Sequence, residues 1–244
     1  MKGKTLALRL LQLALIVLVT WGIVRALAPD LARVSWQDFK AFDPSVTRLV
    51  LATLLLIGFY LLHAQLWRTI TQTLSQTTFD WRSALHIYLV SGLGRYIPGK
   101  LWQVAGMALL AQRAGVSAVA ATAAAMVAQL AFITTGLIYL AIVLPAWGGA
   151  APIMVALFGV LLAAIGYRAR HWGALKIKKL RPAVEMLDRV RARDALQWWL
   201  AYGMSWIILG AAFVLFTSGF VPLDLLEQRH VAGTVAAAYL GGLL

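Results

Sequence analysis

Hydrophobic positions along this chain gather into long runs, with polar clusters between them. Five runs are long enough to cross a bilayer as helix: Leu6–Val24, Leu49–Leu66, Val116–Leu144, Ala151–Tyr167 and Leu196–Thr217. A hydrocarbon core of ~30 Å needs ~20 apolar residues at a helical rise of ~1.5 Å each. The first run has a basic flank (Lys2, Lys4, Arg9), and Ala26-Leu27-Ala28 after it resembles a signal-peptide cleavage site. Its full-span length, the interruption at Arg25 and the following Pro29 favour a retained helix.

A sixth apolar region, Ala84–Gln112, is interrupted at Gly92-Leu93-Gly94-Arg95-Tyr96-Ile97-Pro98-Gly99-Lys100. The pieces on either side, Ala84–Leu93 and Leu101–Gln112, have 10 and 12 residues. As helix each is ~15–18 Å long, about half a bilayer. Three glycines, one proline and two cations in nine residues do not fit regular helix in lipid.

Composition agrees with the runs. Apolar residues make up 61% of the 244 positions and charged residues 13%. Soluble domains lie nearer 45–50% and about 25%. The chain has no cysteine, so disulfides and thiolate metal sites are excluded. Its four histidines (His63, His86, His171, His230) are scattered, with no metal-ligand spacing. No cofactor is expected.

The net charge of +13 is distributed in a way that sets topology. The loop 168–194 holds nine cations, among them Arg168, Arg170, Lys176, Lys178, Lys179 and Arg181, against three acids. The positive-inside rule makes this loop and the N-terminus cytoplasmic. Counting spans from both sides then places Arg68–Arg82 and Arg113 in the cytoplasm as well. Both ends of 84–112 therefore lie on one face, which predicts a re-entrant helical hairpin. With the cations explained by topology, nucleic-acid binding is a poor account of the charge. The basic loop either marks topology or attracts anionic headgroups, and Leu180–Val190 has some amphipathic periodicity suited to a membrane surface.

The expected fold is all-α: a single polytopic membrane domain over residues 1–244. It has five full spans (6–24, 49–66, 116–144, 151–167, 196–217), one re-entrant hairpin (84–112) and the truncated start of a second. The last element is read from Val231–Leu244, an apolar run of 14 residues in which the chain stops. Two such hairpins entering from opposite faces are a signature of inverted-repeat transporters.

The break carries the candidate chemistry. A cation at the centre of a lipid-facing helix costs ~2.5–3.5 kcal/mol, so Arg95 and Lys100 are expected to face protein, water or an anion. Pro98 and Gly99 suit the start of a new helix, whose free N–H groups at Gly99–Leu101 point into the break. A helix N-terminus between two cations attracts anions, and the abundant anion in a membrane is a lipid phosphate. One reading gives Arg95, Lys100, Gly99, Leu101 and Gln103 a phosphate, with Gly92, Gly94, Pro98 and Gly99 forming the break. The other has Arg95 and Lys100 snorkel to the cytoplasmic headgroups from a shallow loop, with Gln103 bonding freed backbone. Gln129, mid-span, is expected to bond a neighbouring helix's backbone or to line a cavity. The small residues of Ser117–Ala128 suit close helix packing, including packing against the hairpin. His63 and His86 read as hydrogen-bonded packing residues, with proton relay as the other reading.

The stretch GLGRYIPGKLWQVAGMALLAQRAGVS, Gly92–Ser117, resembles the transmembrane region of bacterial lysylphosphatidylglycerol synthases and the stand-alone flippase-like proteins built from that region. Its core is Gly94-Arg95-Tyr96-Ile97-Pro98-Gly99-Lys100-Leu101-Trp102-Gln103, followed by Arg113-Ala114-Gly115-Val116. The resemblance implies a bacterial plasma-membrane protein with re-entrant hairpins that moves lipids between leaflets. The soluble aminoacyl-transfer domain of the bifunctional members is absent from these residues, so synthase activity is not implied. Such proteins have a second glycine- and proline-rich hairpin near the C-terminus, and this chain ends where it would begin.

Two functions remain in view. One is a flippase for an anionic lipid, either a phospholipid or a polyprenyl-phosphate-linked one. The other is a non-transporting scaffold for a glycosyltransferase or lipid-modifying enzyme, using the basic loop. An ion-coupled small-molecule transporter lacks an intramembrane carboxylate, and an intramembrane enzyme lacks a plausible acid–base pair or activated nucleophile.

Overall fold

A computed structural model of the chain describes residues 43–96, 101–143 and 188–243, with positions 17, 20–22, 24, 25, 28, 29, 185 and 186. The expected span 151–167, most of 6–24, and the loop cations from Arg168 to Arg181 lie outside the described residues. The chain divides into residues 1–44 and 45–244. In the first unit, the described positions from 17 to 29 are helical. There the Arg25 guanidinium sits 5.1 Å from the centre of the Trp21 ring, the contact that four-residue helical spacing allows.

The second unit is helical wherever it has regular structure among the described residues. Its elements are α1 (Val46–Ser75), α2 (Trp81–Gly92), a 3₁₀ turn (Leu93–Tyr96), α3 (Leu101–Arg113), α4 (Ala118–Val143), α5 (Ala192–Ser218) and α6 (Leu225–Leu243). Three of them, α1, α4 and α5, are long and apolar enough to cross a membrane. They contain the expected spans 49–66 and 196–217 and nearly all of 116–144. α1 and α5 run past the apolar core of their runs, because capping and tertiary contacts extend helices into polar flanks that hydropathy alone does not count, whereas α4 stays within its run.

In α1, hydroxyls that would be stranded in an apolar setting bond back to the preceding turn. Thr53 donates to Leu49 O at 2.9 Å, Thr71 to Trp67 O at 2.7 Å and Thr73 to Thr69 O at 3.0 Å. The helix stops at Gln76, whose φ of 57° is left-handed. At the other end of α3, Gly115 has φ +78°. The N–H of Val116 bonds Ala111 O at 2.9 Å, and the N–H of Gly115 bonds Gln112 O at 3.1 Å. This is a Schellman closure, and glycine suits it because a Cβ is strained at that φ.

α1 and α5 run antiparallel. Ser45 N–H bonds Gly219 O at 2.8 Å at one end, and Arg189 donates to Leu74 O at 2.8 Å at the other. α4 packs on both, through the small face foreseen in the sequence: Ala120, Ala121 and Ala124 are fully buried. That face lets Trp67 of α1 come close enough for its indole N–H to reach Ala121 O at 3.4 Å. Gly136 serves the same end against α5, since the Trp206 ring occupies the space a Cβ would need. Trp206 then stacks on Phe132 with centroids 4.3 Å apart and donates to Phe132 O at 2.9 Å.

α6 begins six residues before the apolar run read as a truncated element. Asp224 and Glu227 start it with a reciprocal capping box: each accepts from the other's backbone N–H at 2.8 Å. It packs on α4 and α5 through Ala232, Ala236 and Leu240.

Candidate functional site

The broken segment folds as two short helices side by side. Asp80 starts α2 by accepting from the Ser83 N–H at 2.9 Å. This hydrogen bonding with the Ser83 side chain and backbone holds the Asp80 carboxyl below the usual range. α2 turns Ala84, Ile87, Ser91 and Gly92 inward, and α3 turns in Met107 and Ala111. The two run antiparallel. Arg82 and Arg113 share one end, Ser91 lies against Gly106 midway, and Gly94 lies against Trp102 and Gln103 near the break.

The glycines set how closely the arms approach. A Cβ on Gly106 would stand 3.3 Å from the Ser91 Cβ. A Cβ on Gly94 would stand 2.8 Å from the Gln103 backbone nitrogen and 2.9 Å from the Trp102 carbonyl carbon. No side chain fits there, because the obstacle is backbone. With 12 and 13 residues, the arms are ~18–20 Å long.

Of the residues expected to hold a phosphate, Gln103 is half-buried beside Gly94, and Leu101 is the first residue of α3. Arg95 belongs to the 3₁₀ turn. Pro98, Gly99 and Lys100 lie outside the described residues, as do the side chains of Arg95 and Leu101. Gly92 is buried at the end of α2. Gln129 does not sit where expected: it is exposed on α4 with no described partner, because the inward face is taken by small residues.

Two groupings were not singled out in the sequence. The first is an open cleft of about 570 Å³ at the end of the hairpin away from the break, lined by Arg82, Ser83, His86, Ile87, Leu110, Arg113 and Ala114. In the sequence, Arg82 stood out only as a topological marker, and Arg113 only as a topological marker and a member of the resembling motif. Their meeting depends on the hairpin register. The second is a buried polar relay. His63 Nε2 is 3.0 Å from the Ser205 hydroxyl, and His63 Nδ1 is 3.3 Å from the Tyr88 hydroxyl. Phe59, Phe132 and Tyr202 pack around the imidazole, with centroids 4.2, 4.9 and 5.1 Å away. The relay ties the hairpin arm α2 to α1 and α5. The hydrogen-bonded packing expected of His63 is what the fold contains, whereas His86 faces the cleft and is exposed.

The architecture is that of an α-helical membrane protein, with a compact hairpin packed on helices of spanning length. Comparison with protein-family models, curated proteins and solved structures returns no match for this chain.

Proposed function

We propose that this protein is a flippase-like lipid transporter of the bacterial plasma membrane, moving an anionic phospholipid or a polyprenyl-phosphate-linked lipid between leaflets. α2 and α3 enter and leave the bilayer on the cytoplasmic face, and the N-terminus is cytoplasmic. The lipid phosphate is held at the break by Arg95, Lys100 and the backbone of Gly99–Leu101, with Gln103 beside it. The cytoplasmic loop 168–194 recruits anionic lipid to that face.

The observation that carries this reading is the antiparallel pairing of two arms, each too short to span, with Gly94 of the 3₁₀ turn lying against the backbone of α3. A break at mid-depth between half-length helices is a common place for a substrate group in membrane transporters. Charge supports the orientation. Arg68, Arg82, Arg113 and Arg189 gather at one end, where Arg68 donates to Phe79 O at 2.9 Å and Arg189 to Leu74 O at 2.8 Å. The opposite end carries Asp224 and Glu227 beside Arg48 and Arg229.

The test is lipid exchange in proteoliposomes. A fluorescent phospholipid is followed by quenching of the outer leaflet, with wild type compared against Arg95→Ala/Lys100→Ala. Fast exchange in wild type, lost in a folded double variant, is the expected result. Equal rates in both would remove Arg95 and Lys100 from the mechanism. No exchange by either, across phospholipid and sugar-linked lipids, would favour a scaffold that holds a lipid-modifying enzyme at the membrane.

A further inference from the structure

The end of the hairpin away from the break has its own concentration of positive charge. Arg82 and His86 are four residues apart on α2 and share a face. Arg113 is the last residue of α3. The antiparallel register brings all three to the one cleft of about 570 Å³, a volume within the ~300–1,000 Å³ range of small-molecule sites.

Among the described residues, no carboxylate lines this cleft. The acid nearest in sequence, Asp80, already accepts from the Ser83 N–H at 2.9 Å as the cap of α2. Among the described residues, none hydrogen-bonds or ion-pairs with the side chain of Arg82 or Arg113. Two guanidiniums facing one space repel each other, and an anion between them reverses the sign of that interaction. The guanidinium fork matches phosphate oxygens two at a time. Beneath the cations lie Ile87, 2% exposed, and the half-buried Leu110. Cations above an apolar floor suit a phosphate joined to an apolar group.

We infer that this cleft is a binding site for a phosphate-bearing headgroup. Arg82 and Arg113 clamp the phosphate from the two arms, and an imidazole N–H of His86 donates to a remaining oxygen. The site is separate from the break, which lies ~18 Å away along the arms. It rests on the proposed membrane function only in the choice of a lipid as one probe.

The full chain, in an uncharged detergent, is titrated calorimetrically with dihexanoyl-phosphatidylglycerol and, separately, with inorganic pyrophosphate. Wild type is compared with Arg82→Gln/Arg113→Gln and with Arg25→Gln/Arg229→Gln. The second pair removes equal charge at exposed positions outside the cleft. We expect wild type to bind at least one probe, with affinity falling at least ~10-fold in the cleft variant and less than ~2-fold in the control. Binding of the lipid alone assigns the cleft to a lipid headgroup, of pyrophosphate alone to a soluble phosphate, and of both to the phosphate group itself. No binding by wild type at ~1 mM of either probe, or equal weakening in the two double variants, overturns the inference. Should the cleft variant not fold, Arg113→Gln alone, at an exposed helix end, is expected to weaken binding at least ~3-fold. Unchanged affinity in that variant overturns the inference as well. The readout involves no translocation and leaves Arg95 and Lys100 intact, so its failure is distinct from failure of the flippase reading.

Discussion

The imidazole of His63 and the hydroxyl of Ser205 meet at 3.0 Å although 142 residues separate them. The Ser205 hydroxyl donates its single proton to Tyr202 O at 2.7 Å. It therefore accepts from His63, which places the imidazole proton on Nε2. Nδ1 is left as an acceptor, and the Tyr88 hydroxyl donates to it across 3.3 Å. One tautomer thus serves both hydroxyls, Ser205 and Tyr88. ¹⁵N NMR of the labelled protein is expected to show His63 as the Nε2–H tautomer. An Nδ1–H signal would reverse the direction of the relay.

Removing one partner from a buried relay leaves the others unsatisfied. Ser205 is fully buried and His63 is 6% exposed. Ser205→Ala is expected to cost about 1–3 kcal/mol, read as a lowered midpoint of thermal unfolding in detergent. Tyr88 is only half-buried, so Tyr88→Phe should cost less. The opposite ranking would mean that the hairpin contact matters more than the link between α1 and α5.

The two hairpin glycines should differ in tolerance. At Gly94 the added methyl meets backbone of α3 at 2.8 and 2.9 Å, and at Gly106 it meets the Ser91 Cβ at 3.3 Å. Backbone cannot yield without moving the helix, whereas the Ser91 contact needs a few tenths of an ångström. Gly94→Ala is expected to open the hairpin, at a cost of about 1–3 kcal/mol or more, and to expose the 94–103 region to limited proteolysis. Gly106→Ala should leave the proteolysis pattern nearly unchanged. Equal protection of both variants would show that the crossing at Gly94 relaxes freely.

Gly136→Ala tests the seam between α4 and α5. The methyl would enter the space of the Trp206 ring, displacing an indole that is fully buried and bonded to Phe132 O. A loss of about 1–3 kcal/mol is expected, together with a changed tryptophan near-ultraviolet circular dichroism signal. Trp206→Phe combined with Gly136→Ala should recover part of the loss if crowding is the cause.

The Asp80 cap has a predictable pH dependence. Its carboxyl is held below the usual aspartate range by hydrogen bonding to Ser83. A depressed carboxylate contributes stability that is present above its unfolded pKa and is lost as pH falls through the lower folded one. The first turn of α2 should therefore be protected at neutral pH and fray only below about pH 4. Hydrogen exchange at the Ser83 amide measures this. Asp80→Ala should exchange faster at all pH values, and Asp80→Asn should keep most of the protection without the pH dependence.

Several elements were legible because their signals are local. Apolar runs of spanning length marked α1, α4 and α5, because such a run has few other ways to be solvated. Gly115, two residues past Arg113, was readable as a helix end, since its left-handed φ favours glycine, but the sequence reading did not use it. Asp224-Leu225-Leu226-Glu227 was equally readable as a capping box, and it shows α6 starting before the apolar run that drew attention. The small face of Ser117–Ala128 was rightly read as a packing surface, although its partner, Trp67, was not named.

The sequence alone determined that the chain is helical and membrane-like, and that regular helix gives way after Gly92. Hydropathy, proline and glycine act within a turn or two of backbone, so no fold is needed to read them. Only the tertiary structure decided that His63 meets Ser205 and Tyr88, that Gly94 lies on the backbone of α3, and that Arg82 and Arg113 share a cleft. Each of these depends on helix register and rotation, set by how side chains far apart in sequence fill a common volume. No residue in those pairs carries a local mark of its partner.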